Sequence, residues 1–215
     1  MSKILITGSN SNLAKQFIKL IPSNYKVTNL NKKKFNMNNL KLISNNIKFF
    51  QSFNMIFFFH AVIGNKRLDI QKSKTIIDSL KINLVSQVMI SEISLNKNKN
   101  STIFFVGSES GIKGSYDIMY GLSKSSIHHY VKERKIKYPN QRILCISPST
   151  IIDSNLTLKR KDQYNVKKSI AANPKKRGLR SDELARVIAN ISFNEEYQYL
   201  TNTVIEFNGG KFARS

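Results

Sequence analysis

The sequence contains a single cysteine, Cys145, among its 215 residues. One cysteine excludes an intramolecular disulfide, which is typical of proteins of the reducing cytosol, so a cytoplasmic location is expected. Cys145 lies in the apolar run 143–146, and we expect a buried, unreactive thiol there rather than a nucleophile.

Long apolar runs are also absent. The longest, residues 55–59 followed by 61–63, is too short to cross a bilayer. The first six residues lead into a strand-like run and lack the longer apolar region and cleavage site of a secretory signal. We therefore expect neither a membrane span nor a secretory leader.

Acidic residues are scarce: 13 Asp+Glu stand against 35 Lys+Arg, for a formal net charge of +22. Such a balance can indicate a nucleic acid or an anionic membrane as partner. The lysines are spread through every segment, however, and no stacking aromatics alternate with the basic runs, so nucleic-acid binding is not expected. Three basic clusters (32–34, 159–161 and 175–177) could attract an acidic substrate, although solvated surface is the simpler explanation.

Apolar runs alternate with helix-length amphipathic segments along the whole chain. Strands separated by helices predict a parallel sheet that is covered on both faces. With no internal repeat and no long linker, residues 1–215 are expected to form a single doubly wound α/β domain, its mostly parallel sheet having about seven strands. The predicted strands are 3–7, 25–30, 55–60, 101–106, 142–147 and 203–207, and the predicted helices are 11–20, 73–95, 117–138 and 181–193.

The turn between the first strand and the first helix is a candidate phosphate-binding loop. Residues 7–14 read Thr-Gly-Ser-Asn-Ser-Asn-Leu-Ala, and Gly8 allows a tight turn off the strand. Backbone N–H groups and the positive end of a helix would then meet where a pyrophosphate can sit. An Asn/Ser turn that merely caps a helix explains the same residues equally well.

Tyr120 and Lys124 are four residues apart, so on a helix they lie on one face. A free Tyr titrates near pH 10, and a nearby Lys charge favours the phenolate and lowers that pKa. The spacing alone is weak support for a proton-transfer role. Two other pairs share it: Tyr164 with Lys168 and Tyr130 with Arg134.

Ser108 distinguishes the first pair from the others. It follows the predicted strand 101–106, twelve residues before Tyr120, where parallel sheets place ligands. Its hydroxyl could donate to a substrate carbonyl oxygen while Tyr120 donates the proton. Ser110 is the nearby competitor, and a turn or helix cap would also explain Ser108.

Together these features resemble the short-chain dehydrogenase/reductase family. The shared elements are a Gly turn after the first strand, a strand ending in Gly-Ser-x-x-Gly at 107–111, and Tyr-x-x-x-Lys on a helix. Pro-Ser-Thr-Ile at 148–151 and a closing Gly-Gly at 209–210 extend the likeness over nearly the whole chain. The resemblance implies a Rossmann-like fold and an NAD(P)-dependent oxidoreductase that interconverts a carbonyl and a secondary alcohol.

Carried over residue by residue, the resemblance implies a catalytic set of Asn83, Ser108, Tyr120 and Lys124. Tyr120 would give or take the proton, and Lys124 would lower its pKa and hold the nicotinamide ribose. Ser108 would polarise the carbonyl, and Asn83 would hold a water that links Lys124 to solvent. No metal site is expected. The residues implied to bind cofactor are Gly8, Ser11, Asn12, Leu13, Asn31, Asn36, Ala61, Val62, Tyr120, Lys124, Pro148 and Ile151.

The chain departs from the family pattern at several positions. Asn12 and Ala14 replace the later glycines of the phosphate loop, and His60 opens the segment that usually reads Asn-Ala-Gly. We expect His60 to be a structural substitute rather than a catalytic base. Residues 29–33 provide lysines and no acid at the end of the second strand, which favours NADP(H) over NAD(H).

Substrate and partners follow from the same resemblance. Residues 154–176, dense in lysine, are expected to cover a small-molecule carbonyl or alcohol substrate, and an anionic one such as a nucleotide-linked sugar or a carrier-bound acyl thioester. The helices that begin near residues 73 and 117 pair across a two-fold axis in this family, which implies a homodimer or homotetramer. The alternative is a catalytically weak or inactive member that acts as a cofactor-binding sensor or scaffold.

Overall fold

A parallel sheet organises the part of the chain that the computed structural model describes, residues 1–64 and 71–212. Its strands are β1 (Ser2–Thr7), β2 (Tyr25–Leu30), β3 (Met55–Phe58), β4 (Thr102–Val106), β5 (Arg142–Pro148) and β6 (Thr203–Phe207). The order across the sheet is β2-β1-β3-β4-β5-β6, and every pairing is parallel. The predicted doubly wound α/β domain is confirmed, with six strands in the described residues rather than about seven.

The chain between β2 and β3 explains the lower strand count. Residues 31–54 form turns and two short helices, α2 (Leu40–Ser44) and α3 (Ile47–Gln51), instead of a further strand. Phe35, Met37 and Phe50 from this stretch are buried in one core of the protein. The segment therefore covers a face of the sheet, and β2 stays at its edge.

The remaining helices lie on the two faces of the sheet or after the carboxyl ends of its strands. No helix within residues 1–64 and 71–212 is long and apolar enough to cross a membrane. The cytoplasmic location stays a prediction. The helices other than α2 and α3 are α1 (Asn12–Ile18), α4 (Ser73–Leu80), α5 (Ser86–Lys97), α6 (Ser110–Lys113), α7 (Ile118–Glu133), α8 (Asn155–Leu158), α9 (Gln163–Ala171) and α10 (Ser181–Phe193).

Successive side chains of a strand point to opposite sides of the sheet, and here apolar residues lie on both sides. On β4, Phe105 belongs to the core that includes α5 and α7, whereas its neighbour Phe104 belongs to the core of α1 and α10. In the second core the rings of Phe17 and Phe57 lie 4.5 Å apart between centroids. Two packed layers of helices thus hold the sheet rigid beneath the loops at its carboxyl edge.

Helix α7 ends earlier than predicted, at Glu133 rather than at Tyr138. Asn202 donates its side-chain amide to the carbonyls of Val131 and Arg134, at 2.9 and 2.6 Å. The side-chain oxygen of Gln141 accepts from the backbone N–H of Tyr138. The distant Asn202 and the nearby Gln141 thus satisfy backbone groups that a longer helix would have used.

The predicted helix 73–95 is interrupted in its middle. A single π-helical turn, Lys81–Val85, connects α4 to α5 and contains Asn83. Such turns are rare and occur frequently at functional sites. The turn lies beside the chain that leaves β3, which brings Asn83 to the edge of the candidate site.

The crossover direction of the chain reverses between β1 and β3, where parallel sheets commonly bind ligands. Gly8 follows β1 with φ +69°, and a Cβ at this position would lie 2.5 Å from the backbone nitrogen of His60. Only glycine allows the two loops to approach so closely. The turn after β1 and the chain after β3 therefore form one continuous wall.

Candidate functional site

A cavity of about 540 Å³ opens at the carboxyl ends of the strands, within the size range of small-molecule sites. Of the predicted site residues, Asn83 is the one that does not line it. The predicted residues on its wall are Gly8, Ser11, Asn12, Leu13, Asn31, Asn36, Ala61, Val62, Ser108, Tyr120, Lys124, Pro148 and Ile151.

Tyr120 lies in the first turn of α7 and interacts through its hydroxyl with Ser108. Burial raises the pKa of Tyr120, while the Ser108 hydroxyl and the Arg160 charge act in the opposite direction. This differs from the expectation that Lys124 lowers the Tyr120 pKa, because desolvation outweighs the favourable interactions. Tyr120 is therefore a neutral phenol near pH 7.

Lys124 lies one turn after Tyr120, with its ammonium nitrogen 5.6 Å from the Tyr120 ring centroid. Nζ donates to the carbonyl of Val106 at 2.7 Å, at the end of β4. The side chain is almost fully buried, and burial lowers the pKa of Lys124 to about 8. An amine with this pKa can exchange protons near neutral pH.

Asn83 is completely buried and binds the protein backbone with its side-chain amide. Its Nδ2 donates to the carbonyl of Val62 and its Oδ1 accepts from the N–H of Val62, both at 2.8 Å. A third bond joins Nδ2 to Ser79. The side chain thus acts like a neighbouring strand for Val62. The predicted role of holding a water for Lys124 stays a prediction.

His60 also supports this region. Its Nδ1 lies 2.6 Å from the hydroxyl of Thr7, and its Nε2 lies 3.1 Å from the carbonyl of Ile82 in the π-helical turn. Since a carbonyl can only accept, Nε2 carries the proton and Thr7 donates to Nδ1. Burial, followed by the charge of Lys124, lowers the pKa of His60 to about 3, so the ring is neutral. These contacts agree with the structural role expected for His60.

Asp117 connects the chain after β3 to the helix that carries Tyr120. Its buried carboxylate caps α7 by accepting from the N–H of Tyr120 at 3.2 Å. The same carboxylate accepts the N–H of Gly64 and a bond from the side chain of Gln71. Together, Asn83 and Asp117 hold the chain at Val62 and Gly64.

The turn after β1 is held by a contact with a distant part of the chain. Ser11 caps α1 by accepting from the N–H of Ala14, and Ala14 is fully buried against the core. Asn12 donates to a carboxylate oxygen of Asp153 at 2.9 Å, and the other oxygen accepts from the backbone and hydroxyl of Ser181. Asn12 therefore connects α1, through Asp153, to the chain after β5 and to α10.

At the far end of the cavity, polar side chains follow β2. The side-chain oxygen of Asn31 accepts from the backbone N–H groups of Lys33 and Lys34, and its side-chain amide donates to the side-chain oxygen of Asn10. Asn31 therefore stabilises the turn rather than extending freely into the cavity. Lys32 is exposed and lines the cavity beside it.

The opposite end of the cavity is lined by charged and hydroxyl-bearing residues. Arg160, in the segment 154–176, lines the wall and pairs with Asp162 at 2.6 Å. Lys211, which follows β6, donates to Glu109 at 2.9 Å and to Ser169 on α9 at 2.7 Å. Several residues of the segment 154–176 thus contribute to the wall, and its predicted role of covering a substrate stays a prediction.

The other Tyr-x-x-x-basic pairs lie outside the cavity. Tyr130 and Arg134 both donate to Glu92 on α5, at 2.6 and 2.7 Å, and so join α5 to α7. The side chain of Tyr164 is 78% exposed on α9. Position relative to β4, rather than spacing, separates Tyr120 from them.

Sequence reasoning missed Asp117, Asp153, Glu109 and Lys211. Asp117 carries a local signal, because an Asp before an apolar helical segment is a typical N-cap. The other three act through contacts between distant parts of the chain: Asp153 lies 141 positions from Asn12, and Lys211 lies 102 positions from Glu109. No local pattern reports such contacts.

No protein-family model and no curated protein matches the sequence. Solved structures, in contrast, match over the whole chain. A short chain dehydrogenase family protein from Francisella tularensis superposes with a TM-score of 0.82 at 20% identity, and the alignment covers 100% of both chains.

Two reductase structures are also similar. A 3-oxoacyl (acyl-carrier-protein) reductase from Agrobacterium tumefaciens with NADP bound matches at TM-score 0.81 and 15% identity, covering 97% of this chain and 93% of that one. A 3-ketoacyl-(acyl-carrier-protein) reductase from Brucella melitensis complexed with NADH matches at TM-score 0.82 and 15% identity, covering 98% of both. The likeness in structure, at these identities, establishes that the chain has the Rossmann-like fold of the short-chain dehydrogenases/reductases.

Proposed function

We propose that this protein is an NAD(P)-dependent oxidoreductase that interconverts a carbonyl and a secondary alcohol. The observation that carries the proposal is the meeting of Ser108, Tyr120 and Lys124 on the wall of a cavity that also includes Gly8. A bound nicotinamide cofactor would supply or accept the hydride, and the protein would orient it and manage the proton.

The proton chemistry rests on three side chains of this chain. Tyr120 is the acid in reduction, since burial keeps its phenol protonated. The Ser108 hydroxyl is the second donor, aimed at the oxygen that gains negative charge. Lys124, with its pKa lowered to about 8, can return a proton to the phenolate after each turnover.

Replacement of Tyr120 by Phe removes the proton donor without changing the shape of the wall. We expect Tyr120→Phe to lower kcat for carbonyl reduction by about 100-fold or more, the usual scale of general-acid catalysis, while NADPH still binds. Steady-state turnover in a carbonyl-probe screen and fluorescence titration with NADPH measure the two effects.

Tyr164→Phe is the matched control, because Tyr164 has the same spacing to a lysine but lies exposed outside the cavity. Equal turnover by wild type and Tyr120→Phe would overturn the mechanism. NADPH binding without turnover of any probe by the wild type would favour the alternative, a cofactor-binding sensor or scaffold.

NADP(H) is the proposed cofactor rather than NAD(H). Lys32 lines the cavity where the chain leaves β2, and Asn31 stands where NAD-specific proteins place an acid. An ammonium group there favours a 2′-phosphate and has no comparable partner on the 2′-hydroxyl of NADH.

Loss of the Lys32 charge should therefore affect the two cofactors differently. We expect Lys32→Ala to raise the Kd for NADPH by about 10-fold, as for loss of one charge-assisted hydrogen bond, and to leave the Kd for NADH unchanged. Lys33→Ala, an exposed neighbour that does not line the cavity, is the control. Equal weakening of both cofactors by Lys32→Ala contradicts this assignment.

The substrate is proposed to be anionic, such as a nucleotide-linked sugar or a carrier-bound acyl thioester. Within the basic cluster 159–161, Arg160 lines the cavity and its charge reaches Tyr120, whereas Lys159 and Lys161 are exposed. Arg160 is therefore the residue of this cluster that would meet an anionic group.

Two probes that share a reacting carbonyl test this idea: acetoacetyl-CoA, which is anionic, and its uncharged N-acetylcysteamine thioester. We expect Arg160→Gln to raise KM for acetoacetyl-CoA by about 10-fold and to leave the uncharged probe unaffected. Lys159→Gln serves as the control. The idea would be contradicted by a wild-type enzyme that uses only the uncharged thioester. It would also be contradicted by an Arg160→Gln variant whose ratio of KM values for the two probes is unchanged, since Arg160 would then not bind the anionic group.

A homodimer or homotetramer is proposed through α4 and α7, which pack against each other. Ile118 and Leu122 lie one turn apart on α7 and are 46% and 53% exposed, and Ile77 on α4 is 49% exposed. Such apolar side chains on adjacent helices suit contact with a second copy of the chain.

A charge at the centre of this surface should separate the copies. We expect Leu122→Glu to raise the dimer dissociation constant by at least about 10-fold, since burial of one Leu contributes about 1.5–3 kcal/mol. Light scattering across a dilution series measures the change, with Leu20→Glu, an exposed leucine after α1, as control. A monomeric wild type would contradict the proposed assembly.

A further inference from the structure

A buried ion pair lies next to the proposed catalytic serine. Glu109 directly follows Ser108, and its carboxylate accepts two bonds from Lys211 Nζ, at 2.9 and 3.1 Å. The side chains are only 14% and 5% exposed, and both residues line the cavity. Lys211 donates a further bond to Ser169 on α9 at 2.7 Å.

The chain after β6 is built to deliver Lys211 to this place. Gly209 and Gly210 have φ of +72° and +79°, which turn the chain back toward the sheet. Asn173 fixes the turn by donating to the carbonyl of Asn208 at 2.9 Å, and Asn208 accepts the N–H of Gly210. Because these bonds hold the turn, the backbone of Lys211 has a defined position from which its side chain extends.

Glu109 is itself fixed and close to the reacting groups. Its backbone N–H donates to the carbonyl of Pro148 at 2.9 Å, which holds the loop after β4 against β5. Its negative charge acts on Tyr120 and on Arg160. A carboxylate here without a cation would oppose the negative charge that develops on a carbonyl oxygen during reduction.

We propose that Lys211 is a positioning residue of the active site, which neutralises the Glu109 carboxylate beside Ser108 and Tyr120. This inference rests on the proposed function. Lys211 thereby joins three parts of the cavity wall: the loop after β4, the covering helix α9 and the chain after β6. A cation that merely ties these parts together would act through packing, whereas neutralisation acts through charge.

A double-mutant cycle separates the two roles. Lys211→Met keeps the length of the stem and leaves Glu109 buried without its cation. We expect kcat/KM for acetoacetyl-CoA reduction to fall by at least about 10-fold, because the unpaired carboxylate opposes the negative charge that develops on the carbonyl oxygen, with the Kd for NADPH unchanged. Lys211→Arg should keep most of the activity, and Glu109→Gln should lose less than Lys211→Met.

The double variant Glu109→Gln/Lys211→Met is decisive. It lacks the lysine tie but also lacks the unpaired carboxylate, so it should recover most of the activity that Lys211→Met loses. Thermal unfolding of each variant checks that all are folded, and Lys97→Met, an exposed lysine at the end of α5, is the control.

Full activity of Lys211→Met, or a double variant no better than Lys211→Met, overturns this inference while leaving the proposed function intact. A wild type that binds no NADPH and reduces neither acetoacetyl-CoA nor its N-acetylcysteamine analogue overturns the proposed function, and the role of Lys211 with it.

Discussion

The chain that leaves β3 passes between the turn after β1 and helix α7, and among the described residues no strand pairs with Val62 or Gly64. Buried backbone groups need partners, and here side chains supply them. Asn83 pairs with both the N–H and the carbonyl of Val62, and Asp117 accepts the N–H of Gly64. Because Asp117 also caps the first turn of α7, the wall at Ala61 and Val62 and the phenol of Tyr120 hold a defined relative position. Loss of the Asp117 side chain would therefore loosen both sides of the cavity together.

Burial has a second consequence, for protonation. Desolvation raises the pKa of Tyr120 and lowers that of Lys124 to about 8, so it favours the neutral form of each. The net shift of the Tyr120 pKa is therefore upward, whereas its spacing to Lys124 suggested a lowered value. Lys124 Nζ lies 5.6 Å from the Tyr120 ring centroid and donates to the carbonyl of Val106. The pair suits a site that delivers a proton to a developing alkoxide and recovers it from solvent.

Prediction succeeded where a structure depends on local pattern. The strand β2 and the helix α10 have the predicted bounds, because apolar periodicity and end signals lie within the segments themselves. It failed at the end of α7, where Asn202 and Gln141 take the backbone groups, and in the helix around Asn83, which contains a π-helical turn. The seventh strand is missing among the described residues because Phe35 and Met37 cover the sheet instead of extending it. Two of these failures involve contacts between distant positions: Asn202 binds Val131 across 71 positions, and Asn83 binds Val62 across 21.

The sequence by itself determined the alternation of strands and helices, the order of the motifs, and the membership of Gly8, Ser108, Tyr120 and Lys124 in one edge of the sheet. Parallel strands require this outcome, since all their carboxyl ends meet at that edge. Only the tertiary structure decided how the site is supported and charged. Asn12 bonds to Asp153, and Lys211 neutralises Glu109, across separations of 141 and 102 positions. Such pairs form only when packing has brought the loops together and excluded water, so no local residue pattern predicts them.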